Sequence, residues 1–96
     1  MPRELIPFPA NPNIVDKLKA IHDIEWEEVE EVFKEHPRLF RFLKADQYGE
    51  SRYYALGRTY AGRYLTLIYV PVPPNRAKVI TARDMDDKER KRYRRK

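Results

Sequence analysis

EWEEVEEVFKEHPRLFRFLKA, residues 25–45, changes its hydrophobic period part-way along. Before Pro37, the residues Trp26, Val29, Val32 and Phe33 recur at the three- and four-residue spacing of one helix face. Glu27, Glu28, Glu30 and Glu31 fall away from that face. Pro37 ends the helix, because its ring clashes with the preceding turn and it has no N–H to donate. Beyond it, RLFRFLKA (38–45) is rich in Phe and Leu and reads as a strand. Trp26 and Phe33 are therefore expected to be buried against a sheet that follows.

Strand signals continue toward the C-terminus. DQYGES (46–51) is a turn, and RYYALGRTY (52–60) and RYLTLIYV (63–70) are aromatic and β-branched runs. The short YAG link between them predicts a hairpin. VPVPPN (70–75) is a proline-rich connection and RAKVITAR (76–83) the next strand. DMDDKERKRY (84–93) is a closing helix, with Asp84 or Asp86 as its cap and Glu89 near its first turn. Upstream, ELIPF (4–8) can form a short strand that Pro7 confines to an edge. Asn13 is the expected cap of a helix reaching about residue 21. The order β-α-α-β-β-β-β-α predicts one α+β domain over residues 1–96, with two helices on one face of a four- or five-stranded, mostly antiparallel sheet.

Composition narrows the function. The chain has 96 residues and no cysteine, which excludes disulfides and thiolate metal sites. Its two histidines, His22 and His36, lack zinc-site spacing, so no cofactor or metal is expected. The start is too proline-broken for a signal peptide and no apolar run reaches membrane length, which predicts a cytoplasmic protein. A net charge of +5 favours a polyanionic partner. Acidic residues gather in the second helix, and the sequence from Arg52 onward is basic.

Several of these stretches resemble the BrnT family, ribonuclease toxins of type II toxin–antitoxin pairs with a RelE-like fold. IHDIEWEEVEEVF (21–33) is similar to the family's second helix through His22, Trp26, Glu27, Glu28 and Phe33. YGESRYYALGRT (48–59) matches its central turn and strand through Tyr48, Gly49, Glu50, Arg52, Tyr53, Gly57 and Arg58. GRYLTLIYV (62–70) matches through Gly62, Arg63 and Tyr69, and ITARDMDDKERKRY (80–93) through Thr81, Ala82, Arg83, Glu89, Arg90 and Tyr93. The front departs from the pattern: Ala10 and Asn11 stand where the family has Trp-Asp, and Ile14 and Val15 where it has Lys-Asn. The resemblance implies an endoribonuclease that inhibits translation and is neutralised by a BrnA-like cognate antitoxin.

Metal-independent RNA cleavage uses the substrate's own 2′-hydroxyl as nucleophile, so fixed cations matter most where charge develops on the phosphate. Arginine suits this, with a planar fork matched to two phosphate oxygens. Arg58, Arg63 and Arg83 lie at the ends of adjacent expected strands and are candidates to converge on one phosphate. His22, Glu50 and Tyr93 are the acid–base candidates, the last surrounded on its helix by cations that favour a phenolate. Arg52, Arg90, Arg94 and Arg95 are expected to draw in RNA, with Lys96 adding to them. The strand tyrosines Tyr53, Tyr54, Tyr60 and Tyr64 either stack on bases or pack across strands. Two other functions fit the same residues: a noncatalytic module that binds an antitoxin-like protein or RNA, and a general basic nucleic-acid-binding domain.

Overall fold

The period change at Pro37 marks the boundary between the helices and the main body of the sheet. The computed structural model describes residues 5–41 and 52–94. Its elements run β1 (Ile6–Pro9), α1 (Asn13–His22), α2 (Trp26–Lys34), β2 (Arg38–Arg41), β3 (Tyr53–Arg58), β4 (Tyr64–Val72), β5 (Arg76–Asp84) and α3 (Asp87–Arg94). The five strands form one mixed sheet in the order β1-β5-β4-β3-β2. Only β1 runs parallel to its neighbour, β5; the other pairs are antiparallel. This is the expected α+β class. β1 is an edge strand, which accommodates its two prolines.

α1 and α2 cover one face of the sheet. Ile14 and Leu18 of α1, and Val29, Val32 and Phe33 of α2, pack with Leu65, Leu67, Tyr69, Val79 and Ala82 in one buried cluster. Each buried Leu or Val in such a cluster contributes roughly 1.5–3 kcal/mol. Gly57 lets α2 approach closely, since a Cβ there would lie 2.6 Å from Val32 Cγ1. The other face is narrower: α3 lies over it, and Leu56 and Thr66, both fully buried, belong to that side.

Some details differ from expectation. Trp26 is only partly buried at the cluster's margin, while Ile24, in the link before α2, is fully buried. Asn13 does not cap α1; it is the first helical residue, and its N–H donates to Asn11 Oδ1 at 3.0 Å. β4 runs on through Pro71 to Val72, into the proline-rich stretch expected to be a connection. α2 ends two residues before His36, whose left-handed backbone (φ 55°) turns the chain into Pro37. The expected turn at 46–51 and the far end of the strand at 38–45 lie outside the described residues.

Candidate active site

Strand alternation divides the candidate arginines between the two faces. Arg58, the last residue of β3, pairs across the hairpin with Tyr64, the first of β4. Arg63 precedes Tyr64 by one residue and therefore points to the opposite face. Gly62 provides the turn, with a φ of +93° that suits glycine. The turn is further tied by the Arg63 N–H, which donates to Thr59 Oγ1 at 3.1 Å, and by the Tyr60 N–H, which donates to Glu31 Oε1 at 3.0 Å.

On the helix-covered face, Arg63 acts as a staple. Its guanidinium donates to both Asp84 carboxylate oxygens (2.8 and 3.1 Å), to the carbonyls of Asp23 (2.7 Å) and His22 (2.9 Å), and to Glu28 Oε1 (3.4 Å). It thus joins β4 and β5 to the end of α1 and the start of α2, and satisfies carbonyls that the helix leaves open. The bond from Arg63 outweighs the effect of burial and holds the Asp84 carboxyl below its ordinary range. His22 lies at the same junction, partly buried, with its carbonyl bound to Arg63.

On the α3 face, Arg83 grips Glu89 with both arms, at 2.6 and 2.8 Å. Glu89 Oε1 also accepts from the buried Thr66 hydroxyl (3.0 Å) and the Asp86 N–H (3.0 Å), while the Glu89 N–H donates to Asp86 Oδ1 at 2.8 Å. Asp86 is therefore the cap of α3, in a reciprocal capping box. Burial pushes the Glu89 carboxyl up, but its hydrogen bonds from Arg83, Asp86 and Thr66 prevail and hold it below the ordinary range. The other end of α3 is held by Arg38, which donates to the carbonyls of Arg92 (2.8 Å) and Tyr93 (3.3 Å). Arg92 donates to the Tyr54 hydroxyl and lies over Phe40, 4.5 Å from the ring centre.

The expected convergence of Arg58, Arg63 and Arg83 on one phosphate therefore does not occur. Arg63 and Arg83 are bound by carboxylates on opposite faces, because the register places them there. What meets Arg58 instead is Tyr64. Arg94 and Arg58 lie near the Tyr64 hydroxyl, and their positive charge holds this phenol below its ordinary range. Arg90 and Arg94 lie over the ring at 5.4 and 5.9 Å, and Tyr93 meets it edge-on at 5.8 Å. Beside this cluster, Arg58, Tyr60, Gly62, Tyr93 and Glu35 line an open cleft of about 410 Å³. Arg52 lies just before β3, partly exposed. Glu50, Arg95 and Lys96 lie outside the described residues. Among the described residues, no three His, Asp or Glu side chains gather as a metal-holding group.

A family model described as "Ribonuclease toxin, BrnT, of type II toxin-antitoxin system" matches residues 12–89. The chain belongs to the BrnT family. That membership makes it a type II toxin of ribonuclease type, with RNA as substrate and an antitoxin as partner. A search of curated proteins finds no significant match. The BrnT match takes in Arg58, Arg63, Arg83 and Glu89 and ends before Arg90, Tyr93 and Arg94. No helix among the described residues is long and apolar enough to cross a membrane. Tyr64 and Glu89 escaped prediction as site residues. Tyr64 read as a strand tyrosine that stacks on bases or, more commonly, packs across strands, and the Glu89–Arg83 pair depends on how α3 crosses the sheet.

Proposed function

We propose that this BrnT-family toxin is a metal-independent endoribonuclease acting in the cytoplasm, with its site at the cleft between the β3–β4 turn and the end of α3. The observation that carries this reading is the cluster of Arg58, Arg90 and Arg94 around Tyr64 beside that cleft, with Arg58 and Tyr93 forming part of the wall. Guanidiniums beside a phenol keep their full positive charge toward an incoming phosphate, whereas those of Arg63 and Arg83 are offset by carboxylates. Arg58 binds the scissile phosphate in this reading, and Arg52, Arg90, Arg94 and Arg95 draw the RNA strand in. Arg83 holds α3 in place through Glu89, and Arg63 with His22 holds the helices to the sheet. A BrnA-like antitoxin neutralises the toxin. A RelE-like relationship belongs to the same proposal, supported by two helices on one sheet face and a basic C-terminal helix on the other.

The test is cleavage of a long unstructured RNA by the purified chain in EDTA, with and without added magnesium. Cutting that persists in EDTA supports the reading. Activity that EDTA abolishes and a divalent ion restores would count against metal independence. An absence of cutting under every condition, with RNA binding retained, would favour the noncatalytic binding module.

A further inference from the structure

We propose that Glu35 is the base that takes the 2′-hydroxyl proton when RNA is cut, an inference that rests on the endoribonuclease reading above. The 2′-oxygen becomes a strong nucleophile as its proton leaves, and that needs an acceptor beside the phosphate site. Arg58 cannot serve, because a guanidinium has no acceptor. Among the described residues, Glu35 is the one carboxylate that lines the cleft, together with Arg58 at the end of β3, Tyr60 in the β3–β4 turn and Tyr93 in α3. Its place is fixed by the backbone. Glu35 closes α2, and its N–H donates to the Glu31 carbonyl at 3.0 Å. Residues four apart share a helix face, and Glu31 already reaches the same turn, where it accepts from the Tyr60 N–H at 3.0 Å. Just beyond Glu35, Pro37 packs close over Gly57, the residue before Arg58: a Cβ at Gly57 would lie 3.3 Å from Pro37 Cβ. The bare backbone at Gly57 thus brings the end of α2 down to the strand end that carries Arg58. Two other acids of α2 are engaged, Glu28 by Arg63 and Glu31 by the turn. Among the described residues, the Glu35 carboxylate has no hydrogen-bond or ion-pair partner, so its lone pairs are open to a substrate proton. The charged and titratable groups around it are Arg58 from β3, Tyr60 from the turn and Tyr93 from α3, with Glu31, Lys34 and His36 on its own segment.

In the step itself, Glu35 takes the 2′ proton as the 2′-oxygen attacks phosphorus, so that the O2′–P bond forms while the P–O5′ bond breaks. Arg58 stabilises the charge that develops on the phosphoryl oxygens. The departing O5′ takes the phenolic proton of Tyr93, which lines the same cleft and is held edge-on against Tyr64 at 5.8 Å. The products are a 2′,3′-cyclic phosphate and a 5′-hydroxyl. Water then takes the proton from Glu35 and returns one to Tyr93.

The test measures kcat and KM across a pH series, on a short RNA spanning a junction that the wild-type chain cuts. Glu35→Gln keeps the shape of the side chain and cannot take the proton. Glu35 is exposed, so this variant should fold as the wild type does, which thermal unfolding checks. Its kcat should fall about 100-fold or more with little change in KM, as expected for loss of a general base. The rise of log kcat with pH on the acid side, which follows deprotonation of the base in the wild type, should be lost. Glu35→Asp, with the same carboxylate on a shorter stem, should recover part of the rate and keep that slope. Two results would overturn the proposal while the wild type still cuts. One is wild-type kcat in Glu35→Gln, with a lower KM marking a charge that only repels RNA. The other is a fall in kcat that leaves the acid-side slope in place, which marks a structural role. If the wild-type chain cuts no RNA, the endoribonuclease reading itself fails and takes this inference with it.

Discussion

Arg58 and Arg63 stand on either side of one turn yet act on opposite faces of the sheet, and substitution should separate them. Arg58→Ala should slow cleavage about 30- to 1,000-fold, corresponding to roughly 2–4 kcal/mol of transition-state stabilisation, with an unfolding midpoint near wild type. Lysine at the same position should restore part of the rate, since a point charge lacks the two-pronged fit. Arg63→Ala should behave in the opposite way. It strands Asp84 and two carbonyls and should cost about 1–3 kcal/mol in urea unfolding. Gly57→Ala should also destabilise the fold, by about 1–3 kcal/mol, because the added methyl meets Val32 and overpacks the seam between α2 and β3. The residue types were legible in the sequence: basic side chains at strand ends suggested phosphate chemistry. Their partners were not. Whether an arginine meets a carboxylate or a phenol depends on strand register, and one residue of offset exchanges the faces.

At the scale of elements, α3 depends on its ionic anchors, because none of its own residues is buried. Arg83–Glu89 pins its first turn and Arg38 its last. Glu89 and Asp84 both hold their protons less tightly in the folded chain than ordinary carboxyls do. Their contribution to stability is therefore complete above the ordinary carboxylate range, near about pH 4–4.5, and is lost as pH falls through the lower folded values. Glu89→Gln should remove part of this dependence, so that its thermal midpoint falls less steeply than that of the wild type between about pH 5 and 2. Circular dichroism melts across that range would show it; parallel curves for the two proteins would refute the anchoring role. The helical and strand periods of these elements could be read locally. The end of α2 ahead of Pro37, the edge placement of β1 and an aspartate cap on α3 follow from rules that act within a few residues.

Over the whole molecule, charge is divided: the acidic residues of α2 lie on the helix-covered side of the sheet, and α3 carries a basic band on the other. RNA held by that band should bind less tightly as salt rises, because neutralised phosphates release their counterions. Replacing both Arg90 and Arg94 with Ala should flatten the plot of log affinity against log salt by about 0.7 for each phosphate of a single-stranded RNA that is no longer neutralised. Filter binding over a salt series measures this, and an unchanged slope would place the RNA elsewhere.

The sequence by itself determined the class of fold, the order of its elements, the basic character of the second half and the family likeness. All of these rest on short-range periodicity, breakers and composition. Only the tertiary structure decided which cations share a site. Tyr64 reaches Arg58 through strand pairing and Arg94 through the crossing of α3. Arg83 is bound to Glu89 for the same reason, since that crossing sets the carboxylate beside it. Ile24, in the link before α2, is buried and Trp26 only partly so, because the packing of both helices on the sheet decides how deep each side chain sits. These are relations between elements distant in the chain, and no local pattern of hydrophobicity or charge encodes them.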